Sequence, residues 1–314
     1  MTDSCTSLPA SLRAGKYALA LVLALTGPGS AFNLCAHEYW IEPLQYRIAV
    51  GAPLQAELKN GEQFKGLALP YMPPRFTHFS INNPSGSTPV TGILGDLPAL
   101  QQRSETPGPH VLAYQGKHET IRYNSYDKFS AFVTKEGIEW VLAAHRQRGL
   151  TTLSVQEAYQ RFAKALIEVE SRPAAVTSAV TRATANTAPQ TGNHAQAGNS
   201  SPGLATAMDS LLGMEFELLL HAPAVSEGTT SAYRATVYYQ QKPASDIQVS
   251  VFTKRGGLLA RYRSDASGDI HFSVPTPDAV LLNAVHARVP STTLQQQTGA
   301  AWETLWASLT FRSR

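Results

Sequence analysis

The run Ser154-Val155-Gln156-Glu157-Ala158-Tyr159-Gln160-Arg161-Phe162-Ala163-Lys164-Ala165-Leu166-Ile167-Glu168-Val169-Glu170 decides how the chain is built. Apolar residues recur at Ala158, Phe162, Ala165, Leu166 and Val169. These steps of three and four match one face of an α-helix. Ser154 followed three residues later by Glu157 matches a capping box. The spacing predicts a helix over 154–170. A second helix is predicted just upstream, over 129–148, with Ile138, Val141 and Leu142 on its apolar stripe and Gly149 placed to end it. The two form a helical pair over 129–170.

On either side the period falls to two. Upstream, residues 46–50, 54–58, 76–81, 88–94, 109–114 and 119–123 are short runs closed by Asn, Gly and Pro, as half-buried strands are. Downstream, residues 214–219, 233–239, 247–252, 258–262, 269–274, 280–285 and 305–311 repeat the pattern. This density of short strands fits an Ig-like or transthyretin-like sandwich. Asp96 in Gly95-Asp96-Leu97-Pro98 reads as a turn hydrogen-bonder. The Asp- and Gly-rich 264–269 lacks calcium-loop spacing and also reads as a turn. Residues 171–207 carry almost no large apolar side chain and cannot bury enough surface to order themselves. The expected fold is mainly β: two Ig-like or transthyretin-like sandwiches, 37–128 and 208–314, with the helical pair 129–170 and a low-complexity linker 171–207 between them.

The first 36 residues read as an export signal. Arg13 and Lys16 precede the apolar run 17–25, which Thr26-Gly27-Pro28-Gly29 closes. That run is shorter than the roughly 20 residues of a membrane span, so the expectation is a soluble periplasmic protein that does not span the membrane once cleaved. Three cut sites fit: after Ala36, after Ala31 and after Leu34. The first makes His37 the leading residue. The only cysteines, Cys5 and Cys35, would leave with such a signal, so no disulfide is expected. A formal charge of +3 over 314 residues gives no argument for nucleic acid as a partner.

Several blocks resemble a known family. They are His37-Glu38-Tyr39-Trp40-Ile41-Glu42-Pro43, Gly61-Glu62-Gln63-Phe64-Lys65-Gly66, Gly95-Asp96-Leu97-Pro98-Ala99, residues 157–166, Leu281-Leu282-Asn283-Ala284-Val285-His286, and residues 302–311. The chain is similar to a periplasmic family still called a domain of unknown function, which includes NikK-like nickel and cobalt uptake accessory proteins. The resemblance implies Ig-like or transthyretin-like domains and a mature chain that begins near His37. For some members it also implies metal handling beside a membrane metal transporter. The long segment 171–207 departs from the family pattern.

A terminal histidine offers an amine and an imidazole to Cu(II), Ni(II) or Co(II). His37 is therefore the first candidate metal ligand, with His286, His78 and His110 as candidates to complete the site. The plainer reading of each is a strand or core histidine. Glu38 and Glu42 could orient a ligand from the second row. Trp40, Trp302 and Trp306 could form a sugar-stacking surface, though tryptophans in strands are more often core. No nucleophile elbow, His-Glu-x-x-His helix or phosphate loop is present, so no enzyme is expected. The first functional expectation is a periplasmic metal-binding accessory protein handing its cargo to a transporter. The alternatives are a non-metal envelope interaction or glycan-binding module and a copper redox enzyme.

Overall fold

The computed structural model describes residues 37–171, 208–223, 225–227 and 229–314. Residues 1–36, read from sequence as an export signal, and nearly all of the low-complexity linker lie outside the described residues. In chain order the first strands are β1 (Glu38–Pro43), β2 (Arg47–Ala49), β3 (Pro53–Glu62), β4 (Lys65–Leu69), β5 (Phe76–Asn83), β6 (Gly86–Pro89), β7 (Leu100–Arg103), β8 (Gly108–Gly116) and β9 (Glu119–Tyr123). Helices α1 (Tyr126–Lys135) and α2 (Trp140–Gln147) come next, then β10 (Val155–Glu170). The second series is β11 (Phe216–Leu220), β12 (Val225–Glu227), β13 (Thr230–Tyr239), β14 (Lys242–Pro243), β15 (Gln248–Thr253), β16 (Gly257–Arg263), β17 (Asp269–Pro275) and β18 (Ala279–Arg288). Helix α3 (Thr292–Thr298) and β19 (Trp302–Arg312) close the chain. The fold is mainly β, as its alternating runs require.

One expectation is overturned. Residues 155–170 are a 16-residue strand, not a helix. β10 lies inside the sheet, parallel to β19 along one edge and antiparallel to β8 and β9 along the other. Both of its faces are covered. Phe162 and Leu166 pack with the β11–β13 side, while Ala163, Ala165, Ile167 and Val169 pack with β1 and β3. A strand buried on both faces loses its alternation, and the apolar positions that remain mimic a helical stripe. Ser154 caps nothing; Glu157 points into the core. The helical pair is instead α1 and α2, both inside 126–147. They are separated at Gly137, whose φ of +70° ends α1.

Three sheets stack. The middle sheet runs β16-β15-β18-β19-β10-β8-β5-β6, with β2 and β9 also on β10. The two strand series therefore meet in one sheet through the β10–β19 pair. One face is covered by β11, β13, β12, β14 and β17. The other is covered by β1, β3, β4 and β7 and, further along, by α1 and α2. Trp40, Trp302 and Trp306 are 0%, 1% and 3% exposed, so all three are core and none offers a sugar platform. Asp96 makes the expected turn, accepting from the Ile93 amide at 2.7 Å. Asp265 does the same for 264–269, accepting from Ser267 and Asp269.

The β3–β4 hairpin fixes where β1 starts. Its two turn residues, Gln63 and Phe64, have φ of +53° and +63°, the pairing of a type I′ turn. Phe64 is buried edge-on against Trp40, ring centres 5.6 Å apart. A Cβ on Gly66 would come within 2.8 Å of the Trp40 ring, so glycine is required there.

Candidate functional site

Each predicted histidine has a definite place. His37 is half-buried at the head of β1 and makes no hydrogen bond or ion pair with the described residues. β1 joins β3 at Glu38↔Gly61, which sets His37 opposite Glu62. Glu38 is 2% exposed, and its Oε2 has no hydrogen-bond partner. Burial raises the Glu38 carboxyl above its ordinary range against the opposing pull of Lys135, 3.6 Å away. Lys135 also reaches Glu62 at 3.1 Å and Glu136 at 3.8 Å. Glu42, the other candidate carboxylate, is taken by Lys254 at 2.6 Å and by Trp40 Nε1 at 3.1 Å.

The other three histidines stand apart from His37. His110 is fully buried with both ring nitrogens engaged, Nε2 with Ser104 Oγ at 2.6 Å and Nδ1 with the Gly108 carbonyl at 3.0 Å. Burial lowers its pKa. His78 is exposed on β5, bonded to Ser80 Oγ at 2.8 Å and paired across to Gln115. Gln115 is five residues along β8 from His110, roughly 17 Å of strand. His286 shares the predicted face with Leu282 and Ala284 and lies against Tyr239, ring centres 4.3 Å apart. Burial and the positive charge of Arg288 lower its pKa. Arg288 itself is clasped by Glu303 and Glu215. A cation beside His286 would meet that guanidinium.

A second constellation, which sequence reading missed, lies between the β1–β3–β4 layer and the middle sheet. A cavity of about 120 Å³ is lined by residues from β1, β3, β8, β9 and β10. Glu119 is its centre. Arg75 holds Glu119 Oε1 through Nε and Nη2 at 2.8 and 2.7 Å. Tyr159 donates to Oε2 at 2.7 Å, and Arg161 Nη1 reaches the same oxygen at 3.4 Å. The Arg161 guanidinium stacks 5.1 Å from the Tyr39 ring and 4.6 Å from the Tyr159 ring. Its Nε is buried without a partner, and so is Asn60 Oδ1. Burial pushes the phenols of Tyr39 and Tyr114 up and that of Tyr159 to about 12, so all three are neutral near pH 7.

Residues 34–200, more than half of the chain, match a family described as a domain of unknown function, DUF4198. The chain belongs to that family. No curated protein matches it. Among solved structures the D0-D1 domain of Intimin is similar over 87% of this chain and 97% of that chain, at 11% identity and a TM-score of 0.20, a likeness too loose to carry an argument. The DUF4198 span holds His37, His78, His110 and every residue named in the cavity; His286 falls outside it. The signal that would have exposed the cavity is Arg161. Once 155–170 is read as a two-sided strand, a charge in its middle must be answered by buried partners.

Proposed function

We propose that this DUF4198 protein is an exported metal-binding accessory protein of the NikK-like kind. It takes Ni(II), Co(II) or Cu(II) as cargo and passes it to a membrane transporter from the periplasm. One observation supports this most. His37 stands at the head of β1, and its imidazole, unlike those of His78 and His110, makes no hydrogen bond with the described residues.

Among the described residues no group of three or more His, Cys, Asp or Glu side chains could hold a metal ion. A site at His37 therefore needs a donor that is not a side chain. Cleavage after Ala36 would supply one, the α-amine of His37. Amine and imidazole from one residue close a chelate ring, a donor pair suited to late first-row divalent ions. Both donors bind only when deprotonated, so affinity falls as the pH drops below about 8, where an α-amine takes up its proton.

The test combines intact mass of the exported protein with Ni(II) and Cu(II) titration of wild type, His37→Ala and His286→Ala. The reading predicts a chain starting at His37 and one tight site, lost in His37→Ala and kept in His286→Ala. A start at Phe32, or binding unchanged in His37→Ala, would overturn it.

A further inference from the structure

The cavity around Glu119 is independent of His37, and it carries an unspent recognition chemistry. Two guanidiniums, Arg75 and Arg161, face one carboxylate, Glu119, so its named charges sum to one positive. Its phenols are neutral donors. Two buried atoms lack partners: a donor, Arg161 Nε–H, and an acceptor, Asn60 Oδ1. Leaving either unmade is unfavourable, and a structural network of this kind would be expected to satisfy both. The space of about 120 Å³ corresponds to about four waters.

We infer that this cavity is a binding site for a small hydroxycarboxylate, of glycolate or lactate size. The carboxylate supplies the missing negative charge and accepts from Arg161 and Arg75, in the paired geometry that guanidinium favours. The hydroxyl donates to Asn60 Oδ1. The aromatic rings of Tyr39 and Tyr159 lie against the Arg161 guanidinium and hold it in place. Glu119 competes with the ligand for the same two arginines, so it limits affinity while keeping the empty cavity folded.

The experiment is calorimetric titration of the full chain with glycolate, acetate and ethylene glycol. Glycolate should bind saturably, acetate more weakly, and ethylene glycol not at all. Glu119→Gln should tighten glycolate binding by about tenfold, because it removes the competing charge; a purely structural role for Glu119 predicts no gain. Arg161→Gln should weaken binding at least about tenfold. Asn60→Leu, whose fold is checked by its thermal transition, should bind acetate and glycolate alike. Absence of saturable glycolate binding in both wild type and Glu119→Gln would overturn the proposal. Equal binding of ethylene glycol, or a glycolate preference that survives Asn60→Leu, would also overturn it. None of these readouts involves metal, so failure here leaves the His37 reading untouched.

Discussion

Lys164 is 1% exposed in the middle of β10, yet its ammonium has four acceptors. They are Asp209 at 2.7 Å, Glu217 at 3.0 Å, and the carbonyls of Ser210 and Leu218 at 2.9 and 3.1 Å. The two carboxylates are held in turn by the amides of Leu220, Leu212 and Met214. This clamp fixes the chain where the second strand series begins. Lys164→Met leaves two buried carboxylates uncompensated and should cost about 3–5 kcal/mol in urea unfolding; a loss under 1 kcal/mol would contradict the clamp. Glu157 works differently. It is fully buried, its carboxyl raised by burial to about 7 against hydrogen bonds from Thr304 and Tyr123. Burial raises Glu136 to about 7 as well. The folded state thus holds these protons more tightly than the unfolded chain does. The stability they contribute is full below pH 4.5 and is lost as pH rises to about 7. For Glu157 that loss is roughly 3 kcal/mol. Glu303 has the opposite sign. Burial acts against it, but His118 and Arg288 hold it down to about 2, so its contribution is lost only as pH falls below 4.5. His110 and His286, whose pKa values are lowered, act with the opposite sign between pH 5 and 7, so the test is a difference: relative to Glu157→Gln, the wild type should lose urea stability from pH 5 to 7. An unchanged slope in the variant would place the proton elsewhere.

At the scale of elements, β10 is the strand that both series share. Phe162 is 2% exposed on the face toward β11 and β13. Phe162→Ala should therefore cost about 3–5 kcal/mol. Amides paired to β19 and β8 should exchange only through global opening. Exchange protection that rose and fell every three to four residues along 155–170 would contradict the central strand. The same strand explains what sequence reading could and could not reach. The edge and outer-layer strands, such as β3 and β17, expose one face and alternate, so their periodicity showed. Asp96 marked a real turn. β10 has no solvent face, and Ala158, Ala163 and Ala165 suit a helix as well as a tight sheet-to-sheet contact. The cavity was hidden by the same misreading, because a helix over 154–170 puts Tyr159 and Arg161 outside its apolar stripe. His110 and His286 could be put on strands, but their burial and the presence of Arg288 beside His286 depend on pairings between distant segments.

Across the whole molecule, the middle sheet ties both strand series into one hydrogen-bonded body. The described residues should therefore unfold in a single calorimetric transition, and Lys164→Met should move all of it. Two transitions, with only one shifted, would mean that the series fold apart. The same body decides which histidines the proposed metal site could use. It buries His110, places Arg288 beside His286, strands His78 on an outer face, and leaves His37 at the head of β1 without a hydrogen-bond partner among the described residues. The most direct measurement compares Cu(II) binding by the chain starting at His37 with a free α-amine and the same chain with that amine acetylated. Electron paramagnetic resonance reports the ligands. The account predicts a tight site in the free chain, with nitrogen coupling from amine and imidazole, and a site at least about a hundredfold weaker after acetylation, since one of two chelating donors is gone. Equal affinity and identical spectra for the two forms would contradict it.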